Sequence, residues 1–167
     1  MTTLPLVIRL ERPGDVAAID RLHARAFGPG RFARTAYRLR EGTHPLAELC
    51  FTALVGTYLV GSIRIGPAEA SGPLLVLGPL TVDPSFEKRG IGAALMQTSL
   101  DAAVATGHSL VVLVGDGPYY RRFGFTPVPP GRLVPPGPVD PSRFLWRELK
   151  PGACETVSGS VSATRSR

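Results

Sequence analysis

Cysteine is scarce in this chain. Cys50 and Cys154 are its two in 167 residues, too few for a disulfide framework and without the paired spacing of a metal site, so no metal is expected. Long apolar runs are also missing: nothing approaches the roughly 18–20 residues that span a bilayer. The start, MTTLPLVIRLERPGD, has no signal-peptide pattern of basic, apolar and cleavage regions, and the expectation is a cytoplasmic protein that does not engage membrane. Acidic residues are fewer than basic ones, 13 against 19, a formal charge of +6 that favours anionic ligands. Zinc-finger spacing, an aromatic RNA-binding signature and a long basic run are absent, so nucleic acid is not the expected partner. What is present, 44% hydrophobic and 19% charged residues at this length, suits one globular domain with a real core.

Along the chain, 6–10 reads as a strand, and Pro13-Gly14-Asp15 opens a helix through about Phe27 whose Ile19, Leu22, Ala26 and Phe27 recur at helical spacing. A second helix follows over 31–41, with Arg31, Arg34 and Arg38 on one side, either a solvated face or one that admits an anionic acceptor. The runs 48–55 and 58–65 form a hairpin turning at Gly56-Thr57. The continuously apolar run 74–82 reads as a central strand buried on both faces. Pro79 inside it cannot donate to a ladder, so Gly78-Pro79 is expected to bulge and splay the strand from a neighbour. A helix from Gly90 to about Thr106 would carry Ile91, Ala94, Leu95, Thr98 and Ala102 on one side, with Gly107 as cap. Then come a short buried strand 110–114, a short helix 118–123, a Pro- and Gly-rich surface loop 127–141 and a final strand 143–149. The domain is expected to occupy 1–151, and the Ser-rich tail 152–167 to be disordered.

The stretch LGPLTVDPSFEKRGIGAAL, 77–95, joins the central strand to the long helix through a turn able to hold phosphate. Gly90 and Gly92 let the main chain approach a ligand closely. The first amides of a helix lack internal partners and carry the positive end of its dipole, which makes an anion site. Lys88 and Arg89 add positive charge beside it. The stretch is not a P-loop, lacking Gly-Lys-Ser/Thr, nor a dinucleotide fingerprint, since Gly90-Ile91-Gly92 runs on to Leu95.

Glu87-Lys88-Arg89-Gly90-Ile91-Gly92 resembles the Q/R-x-x-G-x-G/A turn of the GNAT N-acetyltransferase superfamily, with Glu87 where Gln or Arg is usual. Tyr120-Arg121-Arg122-Phe123-Gly124-Phe125 resembles the same family's Y-x-x-x-G-F segment. The run Gly115-Asp116-Gly117-Pro118-Tyr119-Tyr120 and the Leu-Gly-Pro-Leu strand are similar to its YhbS-like branch. The resemblance covers roughly 7–150 and is strongest over 77–125. It implies an α/β (mixed α+β) GNAT fold: a central, mostly antiparallel sheet with a splayed strand pair, flanked by helices.

That resemblance implies acetyl-CoA as cosubstrate and a primary amine of a small molecule or peptide as acceptor, and leaves a homodimer open as an assembly. It places the pyrophosphate on Lys88, Arg89, Gly90, Ile91, Gly92 and Ala93, and the pantetheine along Thr81 and Val82. The Leu80 N–H would meet the oxyanion and Tyr120 would protonate the departing sulfur, a phenol near pKa 10 facing a thiol near 8.5. Tyr119, its neighbour, reads as a wall of the site. Glu48, Asp83, Asp116, His23, His44 and His108 are all conceivable as the base, and none is assigned. The other reading of the same motifs is a regulatory module that binds acyl-CoA without turnover, which Glu87 favours and Tyr120 disfavours.

Overall fold

The computed structural model describes residues 5–27 and 44–163. The expected arginine-faced helix over 31–41 lies outside those residues. Strand β1 (Leu6–Leu10) leads through a 3-10 turn at Pro13–Asp15 into helix α1 (Val16–Phe27). Pro13 suits the turn's start because its fixed φ is already helical. Asp15 closes it by accepting from the Arg12 amide at 2.7 Å and pairing with Arg9 at 2.8 Å. Helix α1 buries Ile19 and Leu22, the expected face, against Leu59.

Strands β2 (Phe51–Val55) and β3 (Tyr58–Glu69) form the hairpin. Strand β2 starts later than its alternating pattern suggests, because Glu48 belongs to a 3-10 turn at Ala47–Leu49. The rest of the chain is β4 (Pro73–Val82), helix α2 (Ile91–Ala105), β5 (Leu110–Val114), the short helix α3 (Gly117–Arg121), β6 (Thr126–Pro127), β7 (Leu133–Val134), β8 (Phe144–Glu148), helix α4 (Ala153–Thr156), β9 (Gly159–Ser160) and β10 (Ser162–Ala163). The main sheet runs β1-β2-β3-β4-β5-β8-β6, with β10 added beside β3. Its only parallel contact among the described residues is β4 with β5.

The apolar residues of β4 and β5 alternate between two cores, as continuous apolar character requires. Leu75, Leu77, Val111 and Leu113 face α2, while Leu74, Val76, Leu110 and Val112 face the opposite side. The buried side of α2 is Ile91, Leu95, Met96, Ser99, Leu100 and Ala103. This corrects the expected stripe: Ala94, Thr98 and Ala102 sit at its margin, half-buried. The helix is apolar almost all round, so its spacing alone does not choose which side meets the sheet.

The opposite core corrects a second expectation. Residues 153–163 are not a disordered tail: Ala153, Val157 and Val161 are buried against Leu74, Val76 and Trp146, and β10 pairs with the end of β3. Ser158, Ser160 and Ser162 flank the two valines and make the segment read as polar, but they lie on its exposed side.

The bulge falls where the proline puts it. Ile63 faces Leu80 and Ile65 faces Leu77, so Gly78 and Pro79 together oppose Arg64 alone. The β4–β5 ladder holds only Leu75 with Val111 and Val76 with Val112. Beyond them the two strands part, and the gap opens toward the start of α2.

Candidate active site

A cavity of about 550 Å³ occupies the mouth of this gap. One wall is the strand edge Leu80, Thr81 and Val82, and another is the turn and first residues of α2, including Lys88, Gly90, Ile91, Gly92 and Ala93. A third is α3, through Tyr119, Tyr120 and Arg122, and the last is the end of α1, Ala26 and Phe27. All the expected site residues but one therefore line a single space. The exception is Arg89, whose guanidinium lies 5.0 Å from the centre of the Phe86 ring instead.

Gly90 caps α2 in the left-handed region, φ 80° and ψ 7°, and no side chain caps the helix. The first intrahelical bond is the Ala94 amide to the Gly90 carbonyl at 3.0 Å. The amides of Ile91, Gly92 and Ala93 thus precede the helical ladder and remain available to an anion. Lys88 also has a positive φ, 63°, which a side chain adopts at some cost and which sharpens the turn. At Gly92 a Cβ would stand 2.8 Å from the Tyr119 hydroxyl and 3.6 Å from Val82, so its absence keeps the passage between strand and helix open. Leu80 opposes Ile63 on β3, while the other edge of β4 has no strand partner at this level.

Asp116 caps the start of helix α3, its carboxylate accepting from the Tyr119 amide at 3.3 Å. Tyr120 packs edge-on to Tyr119 at 5.0 Å and to the fully buried Phe125 at 6.1 Å. Burial, and then the neighbouring Tyr119, push its phenol up to about 12. Burial also raises Tyr119, over whose ring Arg122 lies at 4.8 Å. Although adjacent helical residues point about 100° apart, both tyrosines reach the cavity because it wraps the corner of α3.

None of the conceivable bases lines the cavity. Asp83 is fully engaged: it accepts from Tyr58 Oη at 3.0 Å, Arg25 Nε at 3.2 Å and the Ser85 amide at 2.9 Å. Burial works against its charge, but those three donors together outweigh it and hold the carboxyl below its ordinary value, which makes it a poor base. Ala26, Phe27, Phe86 and Arg122 are lining residues with no role in the site expected from the sequence, and Glu87, noted for its place in the turn, lines it too. Only the repeat of Ala26 and Phe27 on the apolar side of α1 hints at such a place. Among the described residues no helix is long and apolar enough to cross a membrane, and no group of three His, Cys, Asp or Glu could hold a metal.

Comparison with known proteins gives a concordant result. The model of the acetyltransferase (GNAT) family matches residues 16–125. YhbS of Escherichia coli (strain K12), an uncharacterized N-acetyltransferase, is 30% identical over 159 residues, 93% of this chain and 95% of the relative. YjhQ of the same strain, also an uncharacterized N-acetyltransferase, is 29% identical over 132 residues, 76% of this chain and 73% of the relative. The crystal structure of E. coli YhbS in complex with CoA matches with a TM-score of 0.82 at 28% identity, covering 98% of this chain and 92% of that one. A GNAT family acetyltransferase from Brucella melitensis, in complex with acetyl-CoA, matches at 0.68 and 25% identity over 96% of each chain. The family match runs from the start of α1 to Phe125 and so takes in all four walls of the cavity: this chain belongs to the GNAT family of acetyltransferases.

Proposed function

We propose that this protein transfers the acetyl group of acetyl-CoA to a primary amine, on a small molecule or a peptide, by direct attack. The observation that carries this is the convergence of three features on one cavity: the open amides of Ile91, Gly92 and Ala93, the unpaired edge of β4 at Leu80, and Tyr120. The residues suit the cosubstrate, since the left-handed turn at Gly90 and the missing Cβ at Gly92 leave a backbone cradle with Lys88 beside it. The two relatives seen with CoA and acetyl-CoA support the same ligand. Glu87 also borders the cavity, but the cradle is made of amides that it does not remove.

Acetyl-CoA supplies the activated thioester. The strand edge of Thr81 and Val82 guides the pantetheine arm, and the amide of Leu80 donates to the carbonyl oxygen as it becomes negative. The amine nitrogen bonds to the carbonyl carbon as the carbon–sulfur bond breaks, and the amine's surplus proton passes to water. Tyr120, with its phenol pushed up to about 12, stays protonated at neutral pH and faces the departing sulfur as a donor. Against a thiol near 8.5 that pKa is poorly matched, by roughly 3.5 units or about 5 kcal/mol. Desolvation in the same cavity also raises the basicity of the thiolate, which brings donor and acceptor back together.

Calorimetric titration of acetyl-CoA and CoA, followed by thiol release over a panel of primary amines, tests the reading. Binding with turnover of at least one amine is the expected result. Binding with no turnover across the panel would favour a non-catalytic acyl-CoA-binding module, and no binding would overturn the cradle at Gly90.

A further inference from the structure

Asp83 stands between the last cavity residue of β4, Val82, and the turn that leads to Gly90, and its side chain is only 5% exposed. Three separate elements donate to it. Tyr58, at the start of β3, gives its hydroxyl at 3.0 Å. Arg25, next to the cavity-lining Ala26 and Phe27 of α1, gives Nε at 3.2 Å and stands with a second guanidinium nitrogen at 3.1 Å. The Ser85 amide, in the turn itself, donates at 2.9 Å. The cluster continues outward: the Tyr58 ring packs against Phe86 at 6.0 Å, and Phe86 carries the Arg89 guanidinium.

We infer that Asp83 is a positioning residue: with Arg25 and Tyr58 it anchors the start of the phosphate-binding turn to the end of α1 and the start of β3, so that the three amides of the turn keep one fixed orientation toward the pyrophosphate. This rests on the cradle proposed above. Three charge-assisted bonds on one buried carboxylate hold their partners far more rigidly than exposed pairs do. A turn that must present three amides to a pyrophosphate loses affinity when its starting point is free to move. Arg25 reaches Asp83 from the side of α1, so the starting point of the turn is held by a helix outside it.

The test uses Tyr58→Phe, which removes one hydroxyl and keeps the ring, and Asp83→Asn, with CoA and S-acetylpantetheine as probes. S-acetylpantetheine has the arm and the thioester but no pyrophosphate. The expected result for Tyr58→Phe is a CoA Kd weakened about five- to tenfold by calorimetry, and an acetyl-CoA KM raised to match with kcat within twofold. Turnover of S-acetylpantetheine should stay within twofold of wild type. Asp83→Asn should show the same pattern more strongly; if it does not fold, Tyr58→Phe decides alone. A Tyr58→Phe protein with lowered Tm but unchanged CoA Kd would make the cluster merely structural and overturn the inference. Equal weakening toward both probes would overturn it too, because the defect would then lie in the whole cavity and not in the turn. Wild type that fails to bind CoA would instead overturn the cradle itself, a result distinguishable from either.

Discussion

Replacing Tyr120 by Phe removes a single oxygen from a ring held by Tyr119 and Phe125, and its consequences can be worked out in two independent assays. Burial raises the phenol to about 12, roughly 2 units above its ordinary value of about 10, which corresponds to about 2.7 kcal/mol. In the first assay, thiol release followed against pH, wild type should show no alkaline limb attributable to this group between pH 6 and 10, since it keeps its proton there. The Phe variant should lose about 100-fold in kcat at every pH in that window, with CoA affinity within twofold of wild type. In the second, Tm is followed from pH 8.5 to 11.5. Below pH 10 both folded and unfolded chains hold the phenolic proton. Above it the unfolded chain loses the proton first while the folded chain retains it up to about 12. Wild type therefore loses up to about 2.7 kcal/mol relative to the variant as pH rises through that interval. That corresponds to a relative fall in Tm of about 5–10 °C by pH 12, part of it reached within the scan. A wild-type alkaline limb with a midpoint below about 9.5 that vanishes in the variant would refute the reasoning, because the phenol would then be ionising as if in water.

Two further outcomes follow from backbone and packing. Gly90→Ala forces a side chain into the left-handed region at φ 80° and should cost about 1–2 kcal/mol of stability. Its CoA affinity should fall at least fivefold by calorimetry, whereas an unchanged affinity would mean that the turn is not the cradle. Truncation after Pro151 removes Ala153, Val157 and Val161 from the core that covers Leu74, Val76 and Trp146. At about 1.5–3 kcal/mol for each buried valine, thermal denaturation should show Tm lower by at least 6 °C, while a Tm within 2 °C of wild type would mean that the segment contributes nothing to the fold.

Much of the site was readable from local chemistry. A strand of unbroken apolar residues must be covered on both sides, and β5 spans the five residues its pattern marks, Leu110–Val114. A proline lacks the N–H that donates to a ladder, so the disturbance in β4 had to lie at Gly78-Pro79, where the register does shift. A glycine opening a helix leaves its first amides free, and Gly90 does so. These are properties of a residue and its immediate neighbours, and they hold wherever the segment is placed.

What the tertiary structure alone decided are choices between partners. Helix α2 is apolar on nearly every side, so beside the expected Ile91 and Leu95 only the shape of the sheet selected Met96, Ser99, Leu100 and Ala103 as buried over Ala94 and Thr98. Residues 153–163 look too polar to fold by themselves, and they are ordered because the free flank at the end of β3 and an uncovered patch around Trp146 receive them. Asp83 was as plausible a base as any carboxylate until Tyr58 and Arg25, distant in sequence, arrived to occupy it. Sequence by itself determined the long strands and helices of the core, where one strand breaks and which helix start leaves its first amides open. The tertiary structure decided which face, which neighbour and which proton each side chain meets, because those depend on contacts between residues dozens of positions apart, about which local spacing carries no information.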